Sequence, residues 1–188
     1  SGIVDAMAKK PEFSFTMAHL KDEGMIATSE IATKIADFTY SKYMRDTRQA
    51  LKDFDDGKDS MLIDDMVNMN IMLTGMVSDL STGGKQLAVA HNFYDAVCCM
   101  YKDVRRKYLH GEIVAMALPL QLAVNGSPEA EIEELKAFLR EVGIPVSIRE
   151  AGVPQDGLEE LITYVHRVTI PDDMELLEQI RDGFKYIM

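Results

Sequence analysis

Tryptophan is missing from this 188-residue sequence, and cysteine occurs only twice. No apolar run reaches about 18 residues without a charged or polar break, which excludes a membrane-spanning helix. Runs of alternating polar and apolar residues are also short, which argues against a sheet. We read no signal peptide. Positive charge is scarce: 20 Lys and Arg stand against 31 Asp and Glu, for a formal net charge of -11. That balance argues against nucleic acid or an anionic membrane as the main partner. The two cysteines, Cys98 and Cys99, are adjacent. Neighbouring side chains on a helix diverge, so the pair reads as free thiols in a reducing, cytoplasmic compartment. With no further cysteine, a cysteine-based structural zinc site is excluded.

What is abundant is helical spacing. The pattern predicts an all-α fold, a bundle of about eight to ten helices. A short helix from Gly2 to Lys10 should be closed or redirected by Pro11, and a second should run from Glu12 to about Leu20, where Gly24 breaks it. A long helix from Ser29 to Phe54 has Ile31, Ile35, Phe38, Tyr43 and Leu51 on its apolar side. The acidic cluster around Asp55 and Gly57 reads as a loop. A Met-rich helix from Asp59 to Val77 follows, with Met61, Met66, Met69 and Met72 expected as adaptable core packing. Ser78 to Gly84 is a polar connector that lacks the Lys-Ser/Thr ending of a phosphate-binding loop. Helices are then expected from Lys85 to Val104, from His110 to Val124, from Ser127 to Val142, from Gln155 to Val168 and from Met174 to Tyr186. Asn125-Gly126 and Gly143-Ile144-Pro145 act as stops.

The chain is organised around Leu109-His110-Gly111-Glu112-Ile113-Val114-Ala115-Met116. The apolar run that follows predicts a helix buried all round. His110 opens it, where the helix dipole favours a neutral imidazole, and Glu112 suits the same end. His91 lies on the apolar stripe of the preceding helix, between Leu87 and Tyr94. Each ring reads either as a hydrogen-bonded core histidine or as a metal ligand, with Tyr94 or Asp95 supporting His91. His19 and His166 sit among charged residues and are expected at the surface or partly exposed. Two histidines with one carboxylate and an open position suit Zn(II) or Fe(II). Composition cannot select the carboxylate from 31 acidic residues. Asp5 is a candidate because its neighbours are apolar, although an i,i+4 pair with Lys9 explains it equally well.

Three segments together carry a resemblance. Leu109-His110-Gly111-Glu112-Ile113-Val114-Ala115 resembles the His-Gly-Glu-x-Val-Ala segment of the glycerol dehydrogenase and iron-containing alcohol dehydrogenase superfamily. Gly2-Ile3-Val4-Asp5-Ala6-Met7-Ala8-Lys9 resembles the segment that opens that family's helical domain. Gly83-Gly84, followed by Ala88-Val89-Ala90-His91, resembles the Gly-Gly and Ala-His segment between them. The order and approximate spacing agree along the whole chain.

The resemblance implies that residues 1–188 form a single all-helical metal-binding domain, similar to the dehydroquinate synthase-like helical domain. A nucleotide-binding domain would lie N-terminal to it and outside this sequence. It further implies that Asp5, His91 and His110 hold a divalent metal, and it assigns no catalytic residue besides these ligands. Lys9 stands where four-ligand iron-dependent members carry a histidine, which implies the three-ligand, glycerol-dehydrogenase-like branch, where the metal is often zinc, with iron as the alternative. The implied partners are an alcohol substrate, NAD or NADP in the longer protein, and further copies of the chain in a homo-oligomer. The metal polarises the alcohol for hydride transfer to nicotinamide. By itself this chain is expected to be inactive. Two other readings stand beside this one: a dehydroquinate synthase-like lyase domain, and a metal-free helical interaction domain. Asp5 argues against the lyase, whose segment usually carries Glu.

Overall fold

The computed structural model describes residues 1–19, 27–81 and 87–188. Among the described residues every regular element is helical, as expected. The chain divides into two compact units, Gly2–Gln86 and Leu87–Met188.

The first unit begins with α1 (Gly2–Met7) and α2 (Lys9–His19). The break falls at Ala8, not at Pro11. Proline sits instead in the first turn of α2, where its missing N–H would have had no helical partner. The expected stop at Gly24 lies outside the described residues. Helix α3 (Ala27–Asp55) matches the long helix of the sequence reading, but its buried side differs. Ala32, Ala36, Tyr40, Tyr43 and Ala50 are buried, whereas Ile31, Phe38 and Leu51 are exposed. Small residues carry the seam, so counting bulky ones misplaces it. Ala32 and Ala36 pack with Phe13 of α2 and with Val77.

Ser60 caps α4 (Met61–Asn68) by accepting the Leu62 N–H at 3.2 Å. A π-turn at Met69–Leu73 then leads into α5 (Thr74–Leu80), and the Thr74 hydroxyl donates to the Met69 carbonyl at 3.1 Å. The expectation of methionine core packing is corrected in part. Met66 and Met69 are buried, but Met61 is 85% exposed and Met72 is 60% exposed. A row of methionines on several sides of one helix cannot all face one neighbour.

Lys42 ties α3 to α4, meeting Asp46 at 3.2 Å and Asp65 at 2.8 Å. Arg45 donates twice to Asp46, at 2.7 and 2.8 Å. These bonds, Arg45's first, hold the Asp46 carboxyl at about 2, against an ordinary 3.8. A depressed folded-state value stabilises the fold above the unfolded value, and that contribution disappears as pH falls from about 3.8 to about 2. Asp46→Asn is therefore expected to destabilise the protein at pH 5 and to make little difference near pH 2. Thermal unfolding at both pH values checks this.

The second unit begins with α6 (Val89–Met100) and α7 (Lys102–Lys107). They divide at Tyr101, where a single helix was expected; the Lys85 start of that helix and Gly83-Gly84 lie outside the described residues. The apolar run likewise forms two helices, α8 (His110–Met116) and α9 (Leu118–Val124). Pro119 has no N–H to give Ala115, and its ring would crowd that carbonyl, so the helix re-starts at Leu118. From Ile113 to Leu122 every side chain is buried, as the all-round apolar pattern predicts. Gly126, at φ 74°, closes α9 while the Ser127 N–H reaches the Leu122 carbonyl at 3.0 Å.

Beyond it lie α10 (Glu129–Glu141), α11 (Ile148–Ala151), α12 (Leu158–Thr169) and α13 (Met174–Gly183). The four-residue α11, capped by Ser147, was not legible in the sequence. Helix α13 packs closely on α9. A Cβ added at Gly183 would stand 2.7 Å from Leu120 Cδ1, and Leu120 has no exposed surface into which to turn. Gly183→Ala gains up to about 1 kcal/mol in helix propensity and loses about 1–3 kcal/mol to overpacking. A net loss near 1 kcal/mol is expected from denaturant unfolding.

Candidate metal centre

His91 is the third residue of α6, and His110 is the first residue of α8. The turn before α8 is fixed by Glu112, whose carboxylate accepts the Leu109 N–H at 2.9 Å. Helices α6 and α8 pack together, and both rings are half-buried. Their centres lie 5.4 Å apart with planes 49° from parallel, and a ligand nitrogen of one lies within 4.8 Å of a ligand nitrogen of the other.

That spacing suits one shared ion. An ion about 2.0–2.1 Å from each coordinating nitrogen is about 3.2 Å from each ring centre, so two imidazoles at a tetrahedral angle have centres about 5.2 Å apart. The donor set, imidazole with room for oxygen, is one that Zn(II) and Fe(II) accept.

Tyr94, one turn along α6, meets His110 edge-on, with ring centres 4.2 Å apart and planes at 72°. The nearby Cys98 thiol, followed by partial burial, pushes the Tyr94 phenol up. The Arg105 guanidinium of α7 lies 5.7 Å from the Tyr94 ring centre and donates to the Tyr108 carbonyl at 3.5 Å. Asp95, the other support considered for His91, is exposed.

Helix α6 has no capping side chain of its own. Gln121 of α9 supplies one. Its fully buried amide oxygen accepts the Val89 N–H at 2.8 Å and the Ala90 N–H at 3.2 Å, immediately before His91. Its amide nitrogen donates to Asn125 at 2.9 Å. A lone amide inside an otherwise apolar run was the signal that could have found it.

Asp5, in the first unit, lies on α1 between the buried Val4 and Ala6. It is itself half-buried, and its Oδ1 is shut off from solvent. His19 is exposed as expected and bonds to the Phe15 carbonyl at 2.9 Å. His166 corrects the expectation: it is 6% exposed, with Nε2 2.7 Å from the Asp173 carbonyl oxygen. Its charged neighbours in sequence lie on other sides of α12.

Two solved structures share this arrangement of helices. A probable glycerol dehydrogenase from Sinorhizobium meliloti matches 98% of this chain with a TM-score of 0.77 at 23% identity, and the match spans 52% of that protein. The glycerol dehydrogenase of Schizosaccharomyces pombe matches 99% of this chain with a TM-score of 0.76 at 19% identity, spanning 49% of it. The chain has a glycerol dehydrogenase-like fold. In sequence, a glycerol dehydrogenase from Thermotoga maritima is 33% identical over 82 residues, which are 44% of this chain and 21% of that protein. No family model matches. The chain thus spans about half the length of the solved structures and a smaller part of the curated relative. Among the described residues no helix is long and apolar enough to cross a membrane.

Proposed function

We propose that this chain is the metal-binding helical part of an NAD- or NADP-dependent alcohol dehydrogenase acting on a small polyol such as glycerol. The observation that carries the reading is the His91–His110 pair, at a spacing one ion spans, within a glycerol dehydrogenase-like fold. Asp5 is the proposed third ligand, on the strength of its place in the opening motif and its solvent-shielded oxygen. Zinc is favoured over iron because the set has three ligands, with lysine and not a fourth, histidine ligand at position 9. When bound, the ion would supply Lewis acidity toward the substrate hydroxyl, and a nicotinamide cofactor would supply the hydride acceptor. The chain's own residues hold and orient: His91 and His110 present imidazole nitrogens, Glu112 fixes the turn before His110, and Gln121 fixes the turn that carries His91. The nicotinamide cofactor belongs to a nucleotide-binding domain N-terminal to this chain. The two free cysteines fit a cytoplasmic setting, and assembly into a homo-oligomer belongs to the same reading.

The test is glycerol-dependent reduction of NAD+ and NADP+ by the longer protein, with and without prior zinc removal. Activity restored by zinc in the parent protein and not in His110→Ala is expected. Undiminished turnover in zinc-free protein would contradict the proposal.

A further inference from the structure

The geometry points to Tyr94 as a positioning residue that fixes the ring of His110 for metal binding; this inference rests on the metal-binding reading above. His110 opens α8, with the His91 ring centre 5.4 Å away. Tyr94 stands closer, one turn beyond His91 on the same helix, with its ring 4.2 Å from that of His110 and nearly perpendicular. Edge-to-face contact is directional, so it selects an orientation rather than merely filling space.

Tyr94 is restrained in turn. Arg105 lies over its face at 5.7 Å and reaches the Tyr108 carbonyl at 3.5 Å, two residues before His110. One guanidinium thus connects α7, the turn into α8 and the aromatic ring that touches His110. Outer residues that orient a ligand are commonly worth about 10–100-fold in metal affinity. The aromatic ring, not the hydroxyl, makes the contact, so phenylalanine should serve in its place.

Two readouts test this on the 188-residue chain. The first is Co(II) titration followed by visible absorption. Parent protein and Tyr94→Phe should bind alike, and Tyr94→Leu should bind about tenfold more weakly with an altered absorption envelope. Equal affinity and spectra in Tyr94→Leu would overturn the inference, as would equal losses in Tyr94→Phe and Tyr94→Leu. The second is NMR of the His110 ring in metal-free protein. Parent and Tyr94→Phe should give a single ordered ring, and Tyr94→Leu an averaged one; an equally ordered ring in Tyr94→Leu would overturn the inference. If parent protein takes up no Co(II), like the His110→Ala control, the metal reading fails, and the metal-free ring still decides whether Tyr94 orients His110.

Discussion

Gln121→Met is expected to lower the unfolding free energy by about 3 kcal/mol. Methionine matches glutamine in length and fits an apolar run, so little of that loss comes from packing. The loss comes from the backbone of α6. Val89 and Ala90 donate to the Gln121 amide at 2.8 and 3.2 Å, and all three residues are buried. Each donor left without an acceptor costs about 1–3 kcal/mol. The Asn125 side chain also gives up its bond from Gln121, but it is less enclosed. Gln179, exposed on α13, provides a control that should shift stability by less than about 0.5 kcal/mol. Denaturant unfolding of both variants measures the difference. A Gln121→Met loss below about 1 kcal/mol would mean that the first turn of α6 is satisfied in another way.

The second large effect concerns the metal. Four-ligand structural zinc sites are worth about 10–16 kcal/mol, so one ligand carries about 2.5–4 kcal/mol. His91→Ala and His110→Ala should each weaken zinc binding by about two to three orders of magnitude. The fold should survive both changes, because each ring is only half-buried. His166→Ala separates ligand loss from general damage. His166 is more buried than either proposed histidine ligand and bonds to a backbone carbonyl, so its removal should reduce stability while leaving zinc affinity unchanged. Competition titration against a chromogenic chelator gives the affinities. Equal affinities for parent protein and both site variants would contradict the assignment.

Much of this was legible in the sequence, and most of what was not depends on long-range packing. The glycine stops were read correctly: Gly126 and Gly143 have positive φ and sit where the stops were placed, whereas Pro11, read as a stop, lies in the first turn of α2. His110 at the head of a buried helix followed from composition alone, because an apolar run leaves no solvent face. Features set by long-range packing were not legible. Ile31 and Ala32 are adjacent on α3, yet only the alanine is buried, and no count of apolar bulk reveals which side a neighbour will approach. The bond from Gln121 to Val89 spans 32 positions. Tyr94 was considered as a support for His91, its near neighbour in sequence, and is found against His110 because α6 and α8 pack side by side. The break at Pro119 was available from the sequence, but strong apolar continuity concealed it.

The most direct test of the central claim is zinc K-edge X-ray absorption on the zinc-loaded 188-residue chain, with zinc and protein quantified in the same sample. The account predicts one zinc per chain, with two imidazoles and oxygen ligands at about 2.0–2.2 Å, and loss of one imidazole in either histidine variant. A folded chain that retains no zinc, or zinc whose ligand shell is the same in parent protein and in both variants, would contradict it.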